Sequence, residues 1–139
     1  ERQAMVLPYI RRWTEGGRDL TGEQVYRGMS QMMAMREAAV RACQPYDFVL
    51  SPTAPCVAFP AEFAGPTNDP ARPLEHIGFT VAFNMSEQPA ISINAGYTRA
   101  GLPIGLQIAG HRFDDLGVLQ LAQAWEAMRE KQRDWPRFG

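Results

Sequence analysis

Six prolines stand in the 22 residues from Pro52 to Pro73, and this density divides the chain into two unlike parts. Proline lacks a backbone N–H and fixes φ, so neither a helix nor an interior strand continues through such a segment. Residues 52–73 are therefore predicted to form a long irregular loop. Regular structure must lie before it, where the pattern is helical, and after it, where apolar and polar residues alternate.

The part before the loop predicts two helices. Pro8 suits a first helical turn, so a helix through Trp13 is expected, followed by a loop at Glu15–Asp19. Thr21 and Gln24 form a capping-box pattern in front of a helix expected to run to about Cys43. The apolar positions of that helix recur at the helical period and are predicted to fill gaps in a core. They are Val25, Met29, Met32, Met33, Ala39, Val40 and Cys43.

The part after the loop predicts a sheet with helices. Residues Ile91–Ile93 and Ile104–Ile108 alternate as half-buried strands do, and the turn-rich segment between them favours antiparallel pairing. A shorter strand is expected at Phe48–Leu50, a short helix over residues 74–84, and a last helix capped by Asp114. The predicted fold class is α/β, a mixed β-sheet covered by helices. The predicted buried stripe of the last helix comprises Val118, Leu121, Ala122, Trp125 and Met128.

Length and composition restrict the class of protein. The 139 residues make one domain or part of one, and the sequence begins with Glu1, so its numbering is expected to start inside a longer or processed chain. With 14 basic and 15 acidic residues there is no positive excess, so no nucleic-acid partner is expected. No apolar run approaches the length of a membrane span, so no membrane partner is expected. Two cysteines make no disulfide framework, which predicts a cytoplasmic setting.

The residue types and spacings predict no catalytic centre, metal site or cofactor. None of the four serines lies in a nucleophile-elbow motif, and neither histidine has a carboxylate or cysteine at ligand spacing. Glycine spacing matches no phosphate-binding loop. Lys131 is the one lysine, and a solvated role is predicted for it.

Four ordered blocks resemble the C-terminal part of the amidase signature family. They are Tyr46–Pro55, the Phe79–Ala90 segment with Phe79-Thr80, Asn84 and Pro89-Ala90, the run Gly101–Gly110 (GLPIGLQIAG), and the capped final helix. The matching region covers residues 46–126, more than half of the chain. The resemblance implies the C-terminal part of the amidase signature fold.

The same resemblance implies hydrolysis of a carboxylic amide by a serine nucleophile, a second serine joined by a cis peptide, and a lysine base. Those residues belong to the family's N-terminal half, and this sequence has no Ser-Ser pair. The implied partners are therefore the N-terminal half of the parent amidase and a small amide substrate. No catalytic residue is expected within the chain.

The resemblance further implies that Leu74, Ile77 and Val81 line the substrate pocket, although a core role for them is an equal alternative. Relatives that use glutamine carry an acidic residue at the place of Ile77, so the apolar side chain indicates a less polar amide. Glu87 stands where the family usually has glycine. If the backbone there needs a positive φ, glutamate costs about 1 kcal/mol.

Two other functions remain open from the sequence. A catalytically inactive, truncated amidase remnant would act as a folded scaffold, and its exposed apolar surface would drive self-association into a homo-oligomer. A small-molecule binding module would use the methionine-rich helix as a soft binding face.

Overall fold

The computed structural model describes residues 5–69, 71–72 and 74–134. Within these ranges the chain forms four α-helices, a three-stranded sheet and a short 3-10 turn. In chain order the elements are α1 (Pro8–Arg18), α2 (Gly22–Cys43), β1 (Val49–Pro52), the 3-10 turn (Glu75–Ile77), α3 (Val81–Ser86), β2 (Ala90–Tyr97), β3 (Pro103–Ala109) and α4 (Asp115–Met128).

The two N-terminal helices follow the predicted start signals. Pro8 occupies the first turn of α1, and the capping box of α2 is confirmed. The Thr21 Oγ1 accepts from the Gln24 amide at 3.2 Å, and the Gln24 side chain accepts from the Thr21 amide at 2.8 Å. The loop predicted at Glu15–Asp19 is wrong over Glu15–Arg18, which continue α1. The basic Arg18 side chain in the last turn favours this extension because it complements the helix dipole.

The predicted core stripe of α2 is wrong for its N-terminal half. Val25, Met29, Met32 and Met33 are exposed, Met29 by 60%. Ala39, Val40 and Cys43 are half-buried, and α2 packs against α3. The periodicity is real, but no element in the described part of the chain covers that half of the helix.

The sheet has the order β1-β3-β2, with both neighbours antiparallel to the central strand β3. The predicted pairing of the two alternating segments is confirmed, with Ile91 opposite Ile108 and Ile93 opposite Leu106. The short strand lies slightly later than predicted, at Val49–Pro52. The described residues of the proline-rich segment between β1 and the 3-10 turn form no helix or strand, as predicted.

One face of the sheet carries the core and is covered by α4. Ile93, Ile108, Val118 and Ala122 form its buried cluster. The Asp114 side chain accepts from the Gly117 amide at 3.1 Å, which confirms the predicted cap of α4. Leu121 and Trp125 pack against the cluster. The predicted burial of Met128 is wrong, because it lies at the exposed C-terminal end of the helix.

Glu87 adopts the left-handed conformation, with φ of 59°, at the C-terminal end of α3. The condition stated for this position in the sequence, a positive φ, is thus met without glycine. The Glu87 carboxylate pairs with Arg36 of α2 at 2.7 Å and with Arg112 in the loop after β3. These two ion pairs connect α2 and that loop to the strained residue.

Replacing Glu87 separates the cost of this backbone from the value of the ion pairs. Glu87→Ala loses both pairs and keeps the strain, whereas Glu87→Gly loses the pairs and relieves it. We expect the alanine variant to be less stable than the glycine variant by about 1 kcal/mol. The pairs are partly exposed, so each adds only about 0–1 kcal/mol. Urea denaturation measures the difference, and equal stabilities of the two variants would show that position 87 carries no strain.

Candidate functional site

The sheet face opposite α4 carries a group of polar side chains. Along β3, Gln107 alternates with the core residues Leu106 and Ile108 and therefore points away from them. The strand register places Ser51 of β1 and Ser92 of β2 directly beside Gln107. The resulting row Ser51–Gln107–Ser92 crosses all three strands, and we call it the polar row.

Gln107 connects the polar row to the segment that precedes α3. Its side chain is 4% exposed. The Nε2 atom donates to the Phe79 carbonyl at 2.9 Å and to the Ser51 hydroxyl at 3.0 Å. A buried amide at this place holds residues 74–80 over the polar face.

At the other end of the polar row, Ser92 and Thr53 share a hydrogen bond of 2.7 Å between their hydroxyl oxygens. Gly105 leaves room for this pair, because a Cβ there would stand 2.7 Å from the Thr53 Oγ1. The pair has hydroxyl groups but no base, so it is no nucleophile–base dyad.

Two cavities share Pro55 and Cys56 as lining residues. One, of about 480 Å³, also contacts Thr53, Ser92 and Gly105. The other, of about 470 Å³, is also lined by Glu75, Gly78 and Phe79. The start of the proline-rich loop thus forms a ridge between a hydroxyl-lined cleft and a cleft beside the 3-10 turn.

The three predicted pocket residues lie on the segment that borders the second cavity. Leu74 is 50% exposed, and Ile77 and Val81 are half-buried. They occupy the 3-10 turn region and the first position of α3. The residues that line the cavity are their neighbours Glu75, Gly78 and Phe79. The side chains of these three residues are therefore only partly buried, and they lie beside the cavity.

The sequence interpretation misses the polar row. Its local pattern marks Ser51 as a turn residue and Ser92 as a strand residue without further role. Alternation assigns Gln107 and Ser92 to the same face only once the strand register is known, because a shift of one residue reverses every side chain. The usable signal is the single long polar side chain inside the apolar run Ile104–Ile108.

Neither metal-binding clusters nor membrane spans are found in the described parts of the chain. Their His, Cys, Asp and Glu side chains form no group of three able to hold a metal ion. None of their helices is both long and apolar enough to cross a bilayer.

The family model described as Amidase matches residues 1–119. Among curated relatives, a glutamyl-tRNA(Gln) amidotransferase subunit from Thermodesulfovibrio yellowstonii is 42% identical over 86 residues, which are 62% of this chain and 17% of that protein. The chain spans about a fifth of the length of the curated relatives it matches.

Solved structures share the fold. A bacterial aryl acylamidase of the amidase signature family has a TM-score of 0.76 at 24% identity, covering 91% of this chain and 27% of that one. A glutamyl-tRNA(Gln) amidotransferase subunit from Thermotoga maritima has a TM-score of 0.58 at 28% identity, covering 83% of this chain and 29% of that one. The predicted α/β fold class is confirmed. Because the family model extends over most of the chain, the protein belongs to the amidase family, whose signature fold its helices and sheet share.

Proposed function

We propose that this chain is the C-terminal segment of an amidase that hydrolyses a carboxylic amide, and that it forms one wall of the substrate cleft. The observation that carries the proposal is the family match over residues 1–119, combined with the polar row and the two clefts beside it. A cleft lined by a few hydroxyl groups and apolar side chains suits a small, largely apolar amide.

The bond-breaking groups of the proposed reaction come from polypeptide outside this chain. A neutral lysine accepts the proton of the nucleophilic serine through the hydroxyl of the second serine, and the serine attacks the amide carbonyl. The amine leaves with a proton, and water then releases the carboxylic acid from the acyl-enzyme. The Thr53–Ser92 pair cannot replace this unit because it lacks a base, and Lys131 is an exposed residue beyond α4.

Two surfaces support a partner that completes the structure. The outer edges of β1 and β2 have no strand neighbour within the described ranges. The N-terminal half of α2 presents Val25, Met29 and Met33 to solvent. Open edges and apolar helix faces are covered in stable proteins, so we propose the N-terminal half of the parent amidase as the partner.

The substrate is proposed to be less polar than glutamine. By the family resemblance, Ile77 stands where glutamine-using relatives carry an acid, and an isoleucine side chain cannot pair with an ammonium group. The curated relatives named above are glutamyl-tRNA(Gln) amidotransferase subunits, so glutamine is the alternative substrate to be tested.

The test compares this chain with a polypeptide that joins it to the amidase catalytic half. We expect the joined polypeptide to release amines from aliphatic and aromatic amides and to be inhibited by a serine-directed reagent. The chain alone is expected to give no turnover. Turnover by the chain alone, or none by the joined polypeptide on any amide or glutamine, would contradict the proposal.

Specificity is tested at Ile77 in the joined polypeptide. We expect Ile77→Asp to lower kcat/KM for apolar amides at least tenfold, because a carboxylate in an apolar wall costs desolvation energy. Activity on amides with a free amino group should fall less or rise. Ile77→Leu is the matched control and should change kcat/KM less than threefold. If both variants changed kcat/KM equally for both substrate classes, Ile77 would not contact the substrate.

An inactive, self-associating remnant is the second candidate, favoured by the exposed apolar half of α2. Sedimentation of the isolated chain would then show a homo-oligomer. The substitutions Met29→Gln and Met33→Gln would make the chain monomeric. Restoration of turnover on addition of the amidase catalytic half would contradict this alternative.

A further inference from the structure

We infer that Gln107 is a positioning residue, which sets the distance between the sheet and the pocket wall formed by residues 74–81. The effect on catalysis rests on the proposed function. The positioning of residues 74–81 by Gln107 rests on the described contacts alone. Neither the family match nor the resemblance of the sequence assigns this role to Gln107.

The Gln107 bonds have a fixed direction. The Phe79 carbonyl can only accept, and the Ser51 hydroxyl uses its own proton toward the Pro52 carbonyl at 3.1 Å. Both neighbours therefore require a donor, and the two N–H groups of the amide supply one to each. Turning the amide around would place its oxygen against the Phe79 oxygen, so one orientation is selected.

The segment over the polar face has few other attachments. The other described hydrogen bonds of residues 74–80 join Ile77, Gly78 and Thr80 to acceptors three residues earlier, and the Thr80 carbonyl accepts from the amides of Phe83 and Asn84 in α3. Glu75 pairs with Arg72, again within the same stretch of chain. The ring of His76 contacts Phe59 edge-on, at 5.8 Å between centroids. Among the described hydrogen bonds, the Gln107 amide is thus the one that connects this segment to the sheet.

Apolar burial does not substitute for that bond. None of residues 74–80 is fully buried, and Leu74, Gly78 and Phe79 are exposed, so the segment buries less apolar surface than the core residues do. Gln107 itself is rigidly held because its strand is central and paired on both sides. A bond from a rigid strand to a loosely packed segment determines where the segment lies.

The consequence concerns the cleft of about 470 Å³ between Pro55–Cys56 and Glu75, Gly78 and Phe79. Phe79 is both a lining residue of this cleft and the acceptor of the Gln107 bond. When the bond is lost, the wall is free to move away from the sheet and the cleft widens. Substrate binding should weaken more than the chemical step, because the reacting groups lie elsewhere.

The first experiment measures amide hydrogen exchange by NMR in this chain. In Gln107→Met, which keeps a similar volume without donors, exchange of the Ile77, Gly78 and Thr80 amides is expected to rise about tenfold. Exchange in the β2–β3 ladder should change less than twofold. Ser92→Ala is the matched control, because it removes a hydrogen bond from the same face without contacting residues 74–80. The inference would be overturned if exchange in residues 74–80 did not change, or if it rose equally in this segment and in the β2–β3 ladder.

A second variant keeps the inference testable if Gln107→Met folds poorly. In Gln107→Glu the ionised carboxylate cannot donate to Phe79, whereas the protonated acid donates one hydrogen bond. Protection of the segment should therefore return as the pH falls through the pKa of the new carboxyl, which burial raises above its usual value. The inference would be overturned if the protection of this segment depended on pH in the Gln107→Glu variant no more than it does in the parent chain.

The third experiment uses the joined polypeptide and separates this inference from the proposed function. Gln107→Met is expected to raise KM for bulky amides about tenfold with kcat changed less than twofold. If the parent enzyme turns over amides and Gln107→Met lowers kcat without raising KM, the inference fails. If the parent has no activity, the proposed function fails and the exchange experiments still decide the role of Gln107.

Discussion

Replacing Ile108 with alanine is expected to lower the free energy of unfolding by about 2–5 kcal/mol. Ile108 is 1% exposed, lies in the central strand and contacts the cluster of Ile93, Val118 and Ala122. The variant loses the transfer free energy of the removed carbons and leaves a cavity that two paired strands and α4 cannot close. Single domains are stable by about 5–15 kcal/mol, so the loss is a large part of the total.

Ile104 provides a matched control in the same strand. It has the same residue type and the same strand geometry, but it is 43% exposed. Ile104→Ala should therefore change stability by about 0.5 kcal/mol or less. Urea denaturation followed by circular dichroism measures both variants. Similar losses at the two positions would mean that the core does not lie between α4 and the sheet.

Replacing Gly110 with alanine is the second change with a large expected effect. Gly110 follows β3 and is buried, and a Cβ there would stand 2.7 Å from Cγ2 of Val118. Val118 is itself buried in the core and cannot move aside easily. We expect a loss of about 1–3 kcal/mol from overpacking, measured as a lower urea midpoint at unchanged m-value.

A double-mutant cycle with Val118→Ala assigns this loss to a single contact. Val118→Ala alone should cost about 2 kcal/mol, but it also removes the methyl group that the new Cβ meets. The double variant should therefore lose about 1 kcal/mol less than the sum of the single variants. Gly28→Ala is the control, because its Cβ meets nothing within 4 Å and alanine favours the helix. Strict additivity at positions 110 and 118 would rule out the steric cause.

Local signals in the sequence were sufficient for most of the elements. The capping box at Thr21, the Asp114 cap and the alternation through Ile104–Ile108 act over a few residues, so they are readable without tertiary structure. Comparison with the glycine usual in the family marked Glu87 as a position where the backbone could need a positive φ, and the structure gives it a φ of 59°. The four ordered blocks identified the family, which the match over residues 1–119 confirms.

The apolar stripe of α2 shows what local sequence signals do not predict. Periodicity predicts which side of a helix is apolar, but it does not tell what packs on that side. Val25, Met29 and Met33 follow the period, yet they are exposed because nothing in the described part of the chain packs closely on them. The same limit applies to Leu74, Ile77 and Val81, whose role as pocket residues remains a proposal.

By itself, the sequence determined the family, the element types and their caps, because these depend on residues close together in the chain. Only the tertiary structure decided that Ser51, Gln107 and Ser92 share one face and that the Gln107 amide reaches the Phe79 carbonyl. That juxtaposition depends on the register between strands up to 56 residues apart. Register follows the hydrophobic pattern and, for β2 and β3, the turn between them, whereas the pairing of β1 with β3 joins segments far apart in the chain.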